Sequence, residues 1–347
     1  MVPDNRTEKE HMTDTATSTV PVFLDCDTGI DDALALAYLL AAPNADLVGV
    51  GTVHGNTSAA SGAENTRRLL AMTSRGDIPV AVGASDPLVG TFAGGTVAVH
   101  GEDGVGGVRE RLLPEVQANA AVASDTDAVD LLIRLSHEHD GELHLIAIGP
   151  LTNLAIALER DPSLITRVAQ VTIMGGAAMV PGNITAAAEA NIVNDPEAAE
   201  RVLSAGWPVT LVPLDTTMEN AFEKSHIDAL TESDSPLISA VGEMLHFYSA
   251  FYTDIYGRVC CALHDPLAAA IDLGEVEIAS GPRVPVVVDD TYGPGRGQTI
   301  CDLRHQRPAN GEYDIDVDGA TVRVVLRSAE GFPDLLAERL LGWAARQ

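Results

Sequence analysis

Four aspartates fall within eight residues, Asp25, Asp27, Asp31 and Asp32 in the segment DCDTGIDD. They follow an apolar run, VPVFLDC at 20–26, and lead into DDALALAYLLAA at 31–42, whose composition is helix-forming. Acids in a first helical turn are favoured by the helix dipole, which accounts for Asp31 and Asp32. That leaves Asp25 and Asp27 at the end of a strand, where like charges repel. A cation relieves such repulsion, and an all-carboxylate oxygen set suits Ca²⁺ or Mg²⁺ rather than zinc. Other chemistry-bearing residues also follow apolar runs: Asn56 after DLVGVGTV, Met174 and the long loop to Asn191 after VAQVTIM, and Asp215 after PVTLVPL. His264-Asp265-Pro266 opens a further helix.

These residues need a frame that gathers strand ends. Apolar runs alternate with helical stretches: strands at 20–26, 46–53, 79–82, 143–148, 168–174 and 208–214, with helices at 31–42, about 57–74 and 125–139. Such alternation implies parallel strands joined by right-handed crossovers. Near-continuous Val/Ile/Leu runs imply strands buried on both faces. The expected fold class is therefore α/β, an open, mostly parallel central sheet flanked by helices (Rossmann-like). In such sheets ligands bind beyond the carboxyl ends of the strands, where the polar residues cluster here. After residue 282, VPVVVDD, QTICDLR, YDIDVD and TVRVVLR read as short strands, expected to be antiparallel, before a final helix at about 330–345. They form a small additional β region near the C-terminus. Residues 1–19 are polar, carry no apolar leader and read as a disordered extension, with 20–347 as a single domain.

Asp25-Cys26-Asp27-Thr28-Gly29-Ile30-Asp31-Asp32-Ala33 resembles the D-x-D-P-G-x-D-D-A signature of the inosine–uridine-preferring nucleoside hydrolases. His54-Gly55-Asn56, His100-Gly101, Gly149-Pro150-Leu151-Thr152-Asn153, Ile173-Met174-Gly175-Gly176-Ala177, Pro181-Gly182-Asn183, Ala188-Glu189-Ala190-Asn191-Ile192 and His264-Asp265-Pro266-Leu267-Ala268 support it in order. Taken singly, the histidines and asparagines could be turn residues and Met174 core filler. Taken as one ordered set, spread over nearly the whole chain after residue 19, they point to the family.

The resemblance implies hydrolysis of the N-glycosidic bond of ribonucleosides to ribose and free base. It implies that Asp27, Asp32, Asp265 and the backbone carbonyl of Ile148 hold Ca²⁺, with Asp27 also taking a proton from the attacking water. Asp31, Asn56, Asn183, Glu189, Asn191 and Asp265 would hold the ribose, with Met174 beneath it. His264 would be the acid at the leaving base, with His100 near the base. Tyr252 and Tyr256 resemble the base-contacting tyrosines of pyrimidine-preferring members. Phe247 and Phe251 read as a core stripe, and Asp25 as a structural acid. Thr28 stands where the family usually has Pro, and Ala190 where a large aromatic is common. The family forms dimers and tetramers, so a homodimer or homotetramer is expected.

Composition narrows the partners. The formal net charge is −29, from 50 Asp+Glu against 21 Lys+Arg, and the lysines are Lys9 and Lys224. Nucleic-acid binding and docking on anionic membranes need clustered basic residues, so neither is expected. No apolar run approaches the ~20 residues of a membrane span. Four cysteines without a C-x-x-C suit reduced thiols in a cytoplasmic protein. One rival is a haloacid-dehalogenase-type phosphatase, which also uses D-x-D and Mg²⁺. It wants a Lys for the phosphoryl group, and only Lys224 is available in the expected folded region. The other is a calcium-dependent nucleoside-binding protein without turnover.

Overall fold

The computed structural model describes residues 19–116, 126–304, 306 and 314–347. The expected N-terminal extension therefore lies, apart from Thr19, outside the described residues. Seven strands form the central sheet: β1 (Val20–Cys26), β2 (Ala45–Thr52), β3 (Val80–Val82), β4 (Leu143–Ala147), β5 (Val168–Met174), β6 (Val209–Val212) and β7 (Val322–Val324). Their order is β7-β6-β5-β4-β1-β2-β3, with every neighbouring pair parallel.

The apolar runs follow from burial on both faces. Val22 and Leu24 pack into the layer that holds helix α1 (Ile30–Ala41). Phe23 points into the opposite layer, against the helix Ala128–Glu138. Successive side chains of a strand alternate between faces, so both neighbours of Phe23 must also be apolar. The strand order reverses direction between β1 and β4, and a crevice opens there beyond the strand ends. Asp27 to Asp32 leave β1 at that point, and Ile148 leaves β4. Two helices close the site from the other side, α2 (Pro236–Tyr256) and α3 (His264–Asp272).

The C-terminal region differs from the sequence expectation in two places. Val286–Val288 and Thr299–Cys301 do pair antiparallel. TVRVVLR divides: β7 joins the main sheet parallel to β6, with Val322 and Val324 buried in the core beneath it, while Arg327 opens the two-residue strand Arg327–Ser328, which pairs antiparallel with Ile278–Ser280. Residues 314–318 of YDIDVD form no strand. There the carboxylates of Asp314 and Asp316 accept from the backbone N–H groups of Gly281 and Arg283, taking bonds that a partner backbone would otherwise supply.

Candidate active site

The turn after β1 is organised by Asp32. Its Oδ1 accepts from Asp27 N–H at 3.1 Å and its Oδ2 from Gly29 N–H at 2.7 Å. Thr28 adopts φ 20°, which the ring of a proline could not follow, and its hydroxyl lies 2.8 Å from that of Thr66. The segment after β2 locks onto the same turn. Asn56 donates its backbone N–H to Asp27 Oδ2 at 2.6 Å. Its side-chain amide reaches Asp27 Oδ1 at 3.2 Å and Asp32 Oδ2 at 3.1 Å. Gly55 makes this approach possible, since a Cβ there would lie 1.9 Å from Asp27 Oδ2.

A cavity of about 470 Å³ opens above this turn, within the range of small-molecule sites. Asp31, Asn56, His100, Ile148, Met174, Asn183, Glu189, Asn191, Tyr252, His264 and Asp265 all line it. Asp27 and Asp32 lie behind that wall, held by Asn56. The carboxylates whose oxygens converge within 4.8 Å of one another are Asp31, Asp32 and Asp265. Asp27 stands beside that set, its Oδ2 accepting from the Asn56 backbone N–H and its Oδ1 from the Asn56 side-chain amide. Asp25, by contrast, points away, accepting from Asn153 at 2.8 Å inside the fold.

Buried acids crowd here, and among the described residues no Lys or Arg lines the cavity. Burial first, then the charge of Asp32, pushes the Asp27 carboxyl well above its ordinary range. Burial and then Asp31 raise Asp32 to about 7, and burial with the surrounding carboxylates pushes Asp265 well above its ordinary range. Burial lifts Glu189 to about 7, against three backbone N–H bonds, from Gly176, Asn191 and Ile192, that favour its charged form. Asp31 Oδ1 is buried without a hydrogen-bond partner. All-oxygen donors, an orphaned carboxylate oxygen and the lack of Lys or Arg among the described lining residues fit a hard divalent cation.

The opposite wall carries hydroxyls and histidines. Tyr248 donates to Asp31 Oδ2 at 2.9 Å, and its oxygen lies 3.3 Å from that of Tyr252. Tyr252 lies 2.7 Å from His264 Nε2, and His264 Nδ1 lies 2.7 Å from Thr217 Oγ1. His100 Nδ1 accepts from Ile30 N–H at 3.1 Å, which fixes the proton of the neutral ring on Nε2. Burial lowers the pKa of both histidines.

The profile of the family described as inosine-uridine preferring nucleoside hydrolase matches residues 22–328. The chain belongs to that family. It is accordingly a hydrolase of ribonucleoside N-glycosidic bonds. A pyrimidine-specific ribonucleoside hydrolase RihA of Salmonella gallinarum is 36% identical over 331 residues, covering 94% of this chain and 99% of that one. Among solved structures, a purine-preferring ribonucleoside hydrolase from Gardnerella vaginalis superposes with TM-score 0.81 at 28% identity, covering 94% of this chain and all of its own. A plant nucleoside hydrolase, PpNRh1, does so with TM-score 0.80 at 30% identity, covering 94% and 99%.

Within this nucleoside hydrolase three sequence readings need correction. Tyr256 does not line the cavity; its hydroxyl donates to the Met218 carbonyl at 3.1 Å. Phe247 and Phe251 are not core: they are 40% and 37% exposed, and Phe251 lines the cavity mouth with Ile255. Their helix turns its other side inward, where Tyr248 and Tyr252 are buried. Tyr248 and Thr217 were given no role by sequence reasoning. Tyr248 stands one helical turn before Tyr252, a spacing that puts both on one face, whereas nothing near Thr217 signals its contact with His264.

Proposed function

We propose that this enzyme hydrolyses ribonucleosides to ribose and free base with the help of Ca²⁺, and that pyrimidine ribonucleosides are its better substrates. The observation that carries the reading is the ring of buried, uncompensated carboxylates facing a cavity whose other wall holds His264. N-glycoside cleavage builds positive charge on the sugar, as in oxocarbenium-like glycosidase transition states, and a carboxylate-rich pocket stabilises it. Asp27, Asp32, Asp265 and the Ile148 carbonyl are the proposed ligand set for the ion, with Asp31 alongside. Bound there, Ca²⁺ would supply charge compensation and lower the pKa of a water.

The chain's own residues divide the remaining work. Asp27, held through both oxygens by Asn56, takes the proton of the attacking water. Asp31 offers its free Oδ1 to a ribose hydroxyl. Asn56, Asn183, Glu189, Asn191 and Asp265 complete the sugar site, with Met174 beneath the ring. His264 hands a proton to the leaving base, oriented by Thr217 and Tyr252. His100 lies beside the base, and Tyr252 contacts it. The pyrimidine preference rests on the 36%-identical relative named for it and on Tyr252.

The deciding experiment is a reducing-sugar assay on uridine, cytidine, inosine and adenosine. It is run before and after EDTA, with Ca²⁺ and Mg²⁺ restored separately. Ribose release that EDTA stops and Ca²⁺ restores supports the reading. Nucleoside binding without ribose release overturns it. We also propose a cytoplasmic homodimer or homotetramer. The four cysteines are unpaired thiols, and none of the described helices is long and apolar enough to cross a membrane. Sedimentation velocity checks the assembly.

A further inference from the structure

The hairpin Val286–Val288/Thr299–Cys301 contributes no residue to the cavity lining, yet it grips the loop that forms one wall. Successive backbone N–H groups of that loop are taken by different elements. Gly175 donates to the Val212 carbonyl at 3.2 Å, and Gly176 to Glu189 Oε2 at 2.9 Å. Ala178 and Met179 donate to the two oxygens of Asp215, each at 2.8 Å. Between them, Ala177 N–H donates to Thr299 Oγ1 at 2.9 Å, and the same hydroxyl donates back to the Ala177 carbonyl at 2.8 Å. Thr299 is 2% exposed and Ala177 5%, so water cannot stand in for either bond.

The approach is close by construction. Gly176 has φ +79°, and a Cβ there would lie 2.8 Å from Thr299 Cγ2. The hairpin is itself anchored. Arg296 forms a two-pronged pair with Glu197 at 2.8 and 2.9 Å, and Val288 N–H donates to Glu200 Oε2 at 2.6 Å. Directly after Met179 come Val180 to Ile184, every one of which lines the cavity. Val180 and Ile184 are 40% and 53% exposed, so packing alone does little to hold this wall.

We infer that Thr299 is a positioning residue for nucleoside binding: its hydroxyl fixes the Ala177 peptide, and the C-terminal hairpin is the mount that carries it. The kinetic part of this inference rests on the hydrolase reading above. Thr299→Val keeps the shape of the side chain but offers Ala177 neither acceptor nor donor, whereas Thr299→Ser keeps the hydroxyl.

The test combines amide-resolved hydrogen exchange with steady-state kinetics on uridine and inosine. In Thr299→Val, exchange across 177–184 speeds by about 10-fold or more, and KM rises about 10-fold with kcat within about 3-fold. Thr299→Ser restores both. Unchanged exchange, unchanged KM, a loss confined to kcat, or a serine variant that behaves like the valine one overturns the inference. Should Thr299→Val not fold, the wild-type protein decides: the Ala177 amide must exchange as slowly as those of β5, and exchange as fast as in 182–187 refutes the brace. Exchange needs no substrate. If the wild-type enzyme releases no ribose, the hydrolase reading fails on its own, while the exchange arm still reports whether Thr299 holds the wall.

Discussion

Tyr248→Phe isolates one hydrogen bond at the sugar end of the site. The Tyr248 ring is 2% exposed, packs edge-on against Tyr252 with centroids 5.0 Å apart and lies 5.5 Å from His100. Phenylalanine keeps all of that packing and opens no cavity beyond one oxygen. What is lost is the donor to Asp31 Oδ2 at 2.9 Å. A hydrogen bond to a charged group contributes about 1.5–3 kcal/mol. Asp31 Oδ1 already has no hydrogen-bond partner, with His100 Nδ1 3.9 Å away, so the variant leaves this carboxylate without any hydrogen bond from the described residues. If Asp31 must present Oδ1 to the ribose as charge develops, kcat/KM should fall about 10- to 150-fold, at about 1.4 kcal/mol per decade. The assay is initial-rate kinetics on uridine and inosine, with thermal melts to show that the variant is folded. A folded variant whose kcat/KM stays within about 3-fold of wild type would refute the claim that Tyr248 aims Asp31.

Asp27→Ala should lower kcat by about 10³-fold or more while leaving the fold intact, because general-base removal costs about 10²–10⁴ and Asp27 also sits at the proposed ion site; ribose release on uridine checks it. His264→Gln should cost about 10²-fold on uridine but little on a riboside with a nitrophenolate leaving group, which needs no proton; equal losses on both would remove His264 as the acid. His144 gives a pH prediction away from the site. Burial alone would lower its pKa, but the hydrogen bond and charge of Asp272, 2.8 Å away, outweigh that and hold it above its ordinary value. A raised folded-state pKa gives stability fully present below about 6.5 and lost as pH rises through the folded value. The difference in Tm between wild type and His144→Gln should therefore shrink as pH rises from about 5.5 to 8.5, and a difference that grows would contradict the pairing.

The strand frame was legible because burial on both faces forces uninterrupted apolar runs, as in VPVFLDC and LHLIAI. Parallel pairing then puts the polar residues at one end of the sheet. The Asp25 to Asp32 cluster was legible for a related reason: acids at a strand end need an explanation that turn chemistry does not supply. The misreadings are of another kind. Phe247 and Phe251 share a helix with Tyr248 and Tyr252, and periodicity alone does not say which face meets the core. Here the tyrosines go inward because their hydroxyls find Asp31 and His264. β7 was misread because a short Val-rich strand carries no mark of whether its partner runs parallel or antiparallel. The grip of Thr299 on Ala177 joins residues 122 positions apart, and no local pattern announces it.

The central claim is that water, directed by Asp27, breaks the bond between ribose and base. It is tested most directly by turning over uridine in H₂¹⁸O and analysing both products by mass spectrometry. The account predicts one ¹⁸O in the ribose, at the anomeric carbon, and none in the uracil. Uridine left intact, or ¹⁸O appearing in the uracil instead of the ribose, would contradict it.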